Sequence, residues 1–161
     1  MSRPEATLGT LLRHLIDLLD GEVEAAYVAA GLDWRPRYTP VVRALLERGP
    51  ASIRILSHHI GISHSAVSQT VSQMAKEALV ELHPGADARE RIVVLTPCAE
   101  AMLPALRAQW AAVNAAADQL DAELSAPLTQ IAAEAIAALT HQSFGERIRQ
   151  AAQATAAKPA P

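Results

Sequence analysis

The chain has 161 residues, half of them apolar and only 3% aromatic, with a single cysteine and a formal net charge of −3. That length suits one domain, or a small domain with helical extensions, and the composition favours helices packed through small side chains. Cys98 alone excludes an internal disulfide framework, and the lack of a run of about 18 apolar residues excludes a membrane span.

The N-terminal MSRPEATLGTLLRHLIDLLDGE carries charges inside its apolar pattern and lacks a cleavage site, so it reads as a mature helix of a cytoplasmic protein. From Ala6 to Ala30, Leu8, Leu12, Leu15, Leu19, Val23, Ala26 and Ala30 recur at intervals of three and four. This spacing predicts an amphipathic helix of about 25 residues, stopped by Gly31, whose stripe needs a partner. GLDWRPRYTP is a connector. Thr39 reads as an N-cap with Pro40 at the first helical position, and VVRALLERG ends near Gly49. Ser52 caps a short helix, IRILSHHIG. Gly61, Ile62 and Ser63 make a tight turn, and Ser63 caps a helix that begins at His64. Along that helix Val67, Val71 and Met74 form a stripe to bury, while Ser65, Ser68, Gln69, Ser72 and Lys76 fall on the opposite side.

ALVELH and RIVVLT on either side of PGADARE predict a β-hairpin. Thr96 and Pro97 repeat the cap-then-proline signature and open a long helix past Trp110 to about Leu124, with a bend expected at Pro104. Ser125 to Pro127 opens another helix. Ser143 and Glu146 form a capping box for a last short one, and AAQATAAKPAP reads as a disordered tail. Charge follows this division. Between Arg35 and Pro97 there are eight Lys/Arg and five Asp/Glu, net +3, which leaves six and twelve, net −6, for the two ends. A basic centre can meet phosphates.

The order of elements predicts a mainly α fold with a small β-hairpin wing, a winged helix-turn-helix. The major groove of DNA admits one helix, and such a helix needs an apolar back and a polar front. GISHSAVSQTVSQMAKEALV followed by DARERIVVLT resembles the multiple-antibiotic-resistance regulator (MarR) family of bacterial transcription factors. The resemblance spans Thr7 to Ile148 and is most specific from Gly61 to Thr96, in the serine-rich run SHSAVSQ and the D-x-R…L-T wing. It implies a homodimer interlocked through its N- and C-terminal helices, with two winged modules on successive major grooves of a pseudo-palindromic duplex. It also implies, for many members, release by a small aromatic or phenolic effector. The division implied is 6–34 for the N-terminal dimerisation helix and connector, and 35–96 for the DNA-binding module. Residues 97–150 are the C-terminal dimerisation helices and 151–161 the tail.

The same resemblance implies that Ser65, Ser68 and Gln69 read bases; Ser72, on the same polar face by spacing, is a further DNA-binding candidate. Ser63 and His64 start the helix beside a phosphate. Asp87 braces the wing and Arg89 enters the minor groove. Arg54 at the start of the first helix of the pair suits a phosphate, and Arg91 joins Arg89 in the wing. Ala78 and Ala99 stand where the family often has glycine, and alanine disfavours the left-handed backbone of a helix C-cap.

Other readings compete. Tyr27, Trp34, Tyr38 and Trp110 with Arg35 could wall a ligand cleft, with His14 lining it, or could instead anchor the connector against the winged module. His58 and His59 are adjacent on a helix and so do not share a face for a metal, and no H-x-x-x-H or C-x-x-C spacing accompanies them. Cys98 at a helix start is either a redox-sensitive thiol or a small packed residue. A serine nucleophile lacks its base, oxyanion site and strained turn, so no enzyme and no cofactor is expected. The expected function is a homodimeric DNA-binding regulator, a repressor. The alternative is a helical dimer that binds a small molecule or protein without binding DNA.

Overall fold

The computed structural model describes residues 6–85, 87 and 90–156. Arg89 lies outside them. The chain divides into two compact units, Met1–Ala111 and Ala112–Pro161. The first holds α1 (Leu8–Ala29), a 3-10 turn (Pro36–Tyr38), α2 (Thr39–Arg48), β1 (Ala51–Ser52), α3 (Ile53–Ile60), α4 (His64–Lys76), β2 (Val80–Pro84), β3 (Arg91–Leu95) and the start of α5 (Pro97–Glu123). The second holds the end of α5, then α6 (Leu128–His141) and α7 (Phe144–Ala156).

The core of the first unit is apolar and continuous. It takes Val41, Val42, Ala44 and Leu45 from α2, Leu56 from α3, Val67, Val71 and Met74 from α4, and Leu106 and Trp110 from α5. Each large aliphatic side chain so buried contributes roughly 1.5–3 kcal/mol, which is why the spacing of valines along α4 decides which way that helix faces. The stripe predicted on α1 is covered only at its C-terminal end. Tyr27 is buried and Val23 packs against the core, whereas Leu8, Leu12 and Leu19 remain exposed. The core of the first unit thus draws on the end of α1 and the start of α5.

The hairpin forms as predicted, with β2 and β3 antiparallel and Leu82 opposite Val93. A third strand was not foreseen. β1 pairs with β3, Ala51 opposite Val93, so β3 is central. Two residues are too few to show an alternating pattern.

The caps are formed mainly by the residues expected. Ser52 accepts from the Ile55 amide at 3.4 Å, Ser63 from the Ala66 amide at 3.3 Å, and Thr96 from the Ala99 amide at 3.2 Å. Thr39 is the exception. It lies inside α2, and Tyr38 takes the cap position. Its hydroxyl is engaged elsewhere: it accepts from Trp34 Nε1 at 3.1 Å and pairs with the Tyr27 hydroxyl at 3.3 Å.

In the second unit, Asp121 accepts from the Leu128 amide at 2.7 Å and from the Thr129 hydroxyl, fixing the start of α6. The capping box forms. The Ser143 amide donates to Glu146 at 2.9 Å and the Glu146 amide donates to the Ser143 hydroxyl at 3.3 Å. α7 runs on to Ala156, into the tail read as disordered. α5 continues through Pro104, which faces solvent, where water can satisfy the carbonyl freed by the missing amide.

Candidate nucleic-acid interface

α3, the turn Gly61–Ser63 and α4 form the helix pair. Gly61 closes α3 in the left-handed region at φ +76°, with its amide bonded to the Ser57 carbonyl at 3.0 Å. A side chain there would be strained, and so the glycine makes the turn abrupt. Ser63 then caps α4, and Val67, Val71 and Met74 anchor it from behind. Ser65, Gln69 and Ser72 are exposed in front, as are Ser63 and His64 at its start, and Ser68 is half-buried at the side. Short polar side chains on a helix held rigidly from behind can approach base edges closely.

Around α4 the basic groups are dispersed. Arg54 is 77% exposed and its guanidinium lies 3.4 Å from Glu90 at the foot of the wing. That ion pair ties α3 to the hairpin and was invisible in the sequence, because the two residues are far apart in the chain. Asp87 is exposed, and its carbonyl accepts from the Glu90 amide at 2.8 Å, while the Gly85 amide donates to the Glu90 carbonyl at 3.0 Å. Arg91 is exposed at the first position of β3, opposite Pro84.

At the α2–α3 corner, Arg48, Arg54, His58 and His59 line an open cavity of about 440 Å³. His59 meets Glu47 at 2.9 Å and Arg48 at 3.4 Å. Among the described residues no three His, Cys, Asp or Glu side chains are grouped to hold a metal ion. Cys98 is exposed on the first turn of α5.

The four aromatic residues read as a possible cleft are core. Tyr27, Trp34, Tyr38 and Trp110 are buried, Trp34 meets Tyr38 edge-on with centroids 5.6 Å apart, and Arg43 stacks on Trp110 at 5.0 Å. Arg35 and His14 are exposed, His14 on α1. Two buried polar atoms, Tyr38 Oη and Trp110 Nε1, have no well-formed hydrogen bond among the described residues. The Tyr38 hydroxyl faces Glu77 without good alignment; burial first, and then that carboxylate, push the phenol above its usual range.

Glu77, just past α4, is the polar residue that sequence reasoning missed. Its carboxylate accepts from Gln73 at 2.8 Å and pairs with Arg35 at 3.3 Å. Partial burial pushes the carboxyl up. The bonds from Gln73 and Tyr38 and the charges of Arg35 and Arg37 outweigh this, and the net direction is down. The Gln73–Glu77 spacing was legible as an i, i+4 pair; the Arg35 partner was not.

No family model and no curated protein matches the chain. Solved structures do. The transcriptional regulator MosR of Mycobacterium tuberculosis, solved with DNA, superposes with a TM-score of 0.69 at 18% identity, over 86% of this chain and 99% of that one. PcaV of Streptomyces coelicolor, a transcriptional regulator solved with its natural ligand, gives 0.64 at 19% identity, over 89% and 99%. A MarR family regulator of Neisseria meningitidis gives 0.56 at 18% identity, over 87% and 95%. The fold is that of the MarR-type regulators. In the MarR-type fold the order found here, α3, turn, α4 and hairpin, forms the winged helix-turn-helix. The likeness covers most of the chain, so the helices outside that module belong to the shared fold as well. The left-handed residue after α4, where a glycine was expected by resemblance, is Ala78 at φ +56°.

Proposed function

We propose that the protein is a homodimeric, sequence-specific DNA-binding transcriptional regulator of the MarR family, acting as a repressor that a small aromatic ligand releases. The observation that carries this reading is α4: an exposed front of Ser65, Gln69 and Ser72 backed by fully packed Val71 and Met74, and flanked by the hairpin. Most of the binding energy comes from phosphates and counterion release, and Arg54 and Arg91 are placed for that; sequence choice comes from Ser65, Ser68 and Gln69. Arg89 of the wing keeps its proposed minor-groove role by resemblance. That one fold neighbour was solved with DNA and another with a ligand supports both halves of the reading.

Dimerisation is supported by apolar side chains left in water. Leu11, Leu12, Ile16 and Leu19 on α1, and Ile131, Ile136, Phe144 and Ile148 on α6 and α7, are all exposed. Monomeric proteins rarely leave such faces uncovered. An effector would enter by opening the aromatic cluster, where Trp110 Nε1 is the donor it would satisfy.

The test is fluorescence anisotropy with labelled duplexes from the gene's upstream region and a scrambled duplex, at two salt concentrations. Tight, salt-dependent preference for the upstream DNA is the expected result. Absence of salt-dependent binding to any duplex, including one selected by the protein from a random library, would transfer the reading to a ligand- or partner-binding dimer.

A further inference from the structure

A helix about 10–12 Å across that enters a groove about 12 Å wide brings a sugar–phosphate strand against each of its flanks. At 3.6 residues per turn, Ser65, Gln69, Ser72 and Lys76 lie within about 60° of one another around α4. Ala66, Thr70, Gln73 and Glu77 lie round one side, about 80–140° away. The chain packed along that side is the 3-10 turn and the start of α2. Between them runs an open cleft of about 510 Å³, lined by Arg37, Pro40 and Val41 on one wall and by Ala66, Gln69 and Gln73 on the other. Gln69 belongs both to this cleft and to the exposed front, so a duplex seated on the front has a backbone strand over the cleft mouth.

Two arginines come from this segment, and their surroundings differ. Arg35 is held by Glu77 at 3.3 Å. Arg37 is exposed and makes no close ion pair among the described residues, although its charge acts on Glu77 and its side chain reaches the Tyr38 hydroxyl; its guanidinium lies 5.7 Å from the Tyr38 ring centroid. A guanidinium has five N–H donors, so one oriented by a buried ring keeps others for an oxyanion. We infer that Arg37 binds a backbone phosphate of the operator duplex on the connector side of α4, a contact separate from the one assigned to Arg54. The contact carries no base information; it fixes the rotation of α4 in the groove.

This inference rests on the DNA-binding reading, and the experiment separates the two. Affinities of the wild type, Arg37→Ala and Arg37→Lys are measured by anisotropy across a salt series. The probes are a duplex selected by the wild type from a random library and a scrambled duplex. Arg37→Ala is expected to weaken both duplexes by the same factor and to lower the slope of log affinity against log salt by about one per bound subunit. Arg37→Lys is expected to keep the slope. If Arg37→Ala melts early, Arg37→Gln, which retains the stem over Tyr38, takes its place. Unchanged slope and affinity overturn the inference and leave the regulator standing. Loss confined to the selected duplex also overturns it, since that is base reading. A wild type that binds neither duplex removes the DNA-binding reading, and this inference with it.

Discussion

Ala78 holds a backbone conformation that few side chains tolerate. Its φ is +56°, a region that costs an L-residue roughly 1–2 kcal/mol. The surroundings leave it little choice. The Leu79 amide reaches back to the Met74 carbonyl at 2.9 Å, and the Thr96 hydroxyl donates to the Ala78 carbonyl at 2.7 Å. Those two bonds aim the chain from α4 into β2. Glycine would remove the Cβ clash and return part of the gain through its larger unfolded-state entropy. Ala78→Gly is therefore expected to stabilise the protein by about 1 kcal/mol, seen as a higher urea midpoint with an unchanged m-value. An unchanged or lower midpoint would show that the left-handed turn is not strained here. The position was legible in the sequence only as a mismatch with a pattern. That the backbone keeps the left-handed turn, and alanine bears it, follows from the Thr96 bond, which links residues too far apart for local reading.

Between elements, the tie from the connector to the end of α4 runs through Glu77, whose carboxyl lies below its ordinary value of 4.5 in the folded protein. A carboxyl depressed by folding stabilises the fold above its unfolded value, and that contribution is lost as pH falls through the folded one. Wild-type stability should thus fall on acidification below about pH 4.5, and part of that fall should vanish in Glu77→Gln, which keeps the Gln73 contact and drops the charge. Chemical unfolding of both proteins at a series of pH values between about 5 and 3 checks this; parallel curves would remove Glu77 from the account. At this scale, the sequence showed what repeats or caps locally. The valine stripe of α4 and the Ser52 and Ser63 caps rest on neighbours within a few residues, and the hairpin on two strands consecutive in the chain. The Arg35–Glu77 and Arg54–Glu90 pairs and the two-residue β1 depend on partners brought near only by folding, and nothing in the local pattern marks them.

For the whole molecule, the unanswered burial is on α1. Its C-terminal end enters the core through Tyr27, but Leu12 is 49% and Ile16 is 54% exposed, with Leu8, Leu11 and Leu19 uncovered as well. An amphipathic helix of 22 residues with its apolar side in water gains little from its own propensity, and most helical stability comes from packing that side. A second copy would supply the cover under the proposed function, and it would place two α4 helices on one duplex. Leu12→Glu combined with Ile16→Glu sets two carboxylates on the apolar side of α1, outside the core of the first unit. The expected result is a monomer by light scattering on a sizing column, with the melting of the first unit's core retained in near-ultraviolet circular dichroism of its tryptophans. Binding to a two-half-site duplex should then collapse to the level of a single half-site, because the effective concentration of the second module is gone. If the double variant keeps a dimer's mass, α1 does not form the interface, and the exposed side chains of α6 and α7, Ile131, Ile136 and Phe144 among them, become the surface to charge next.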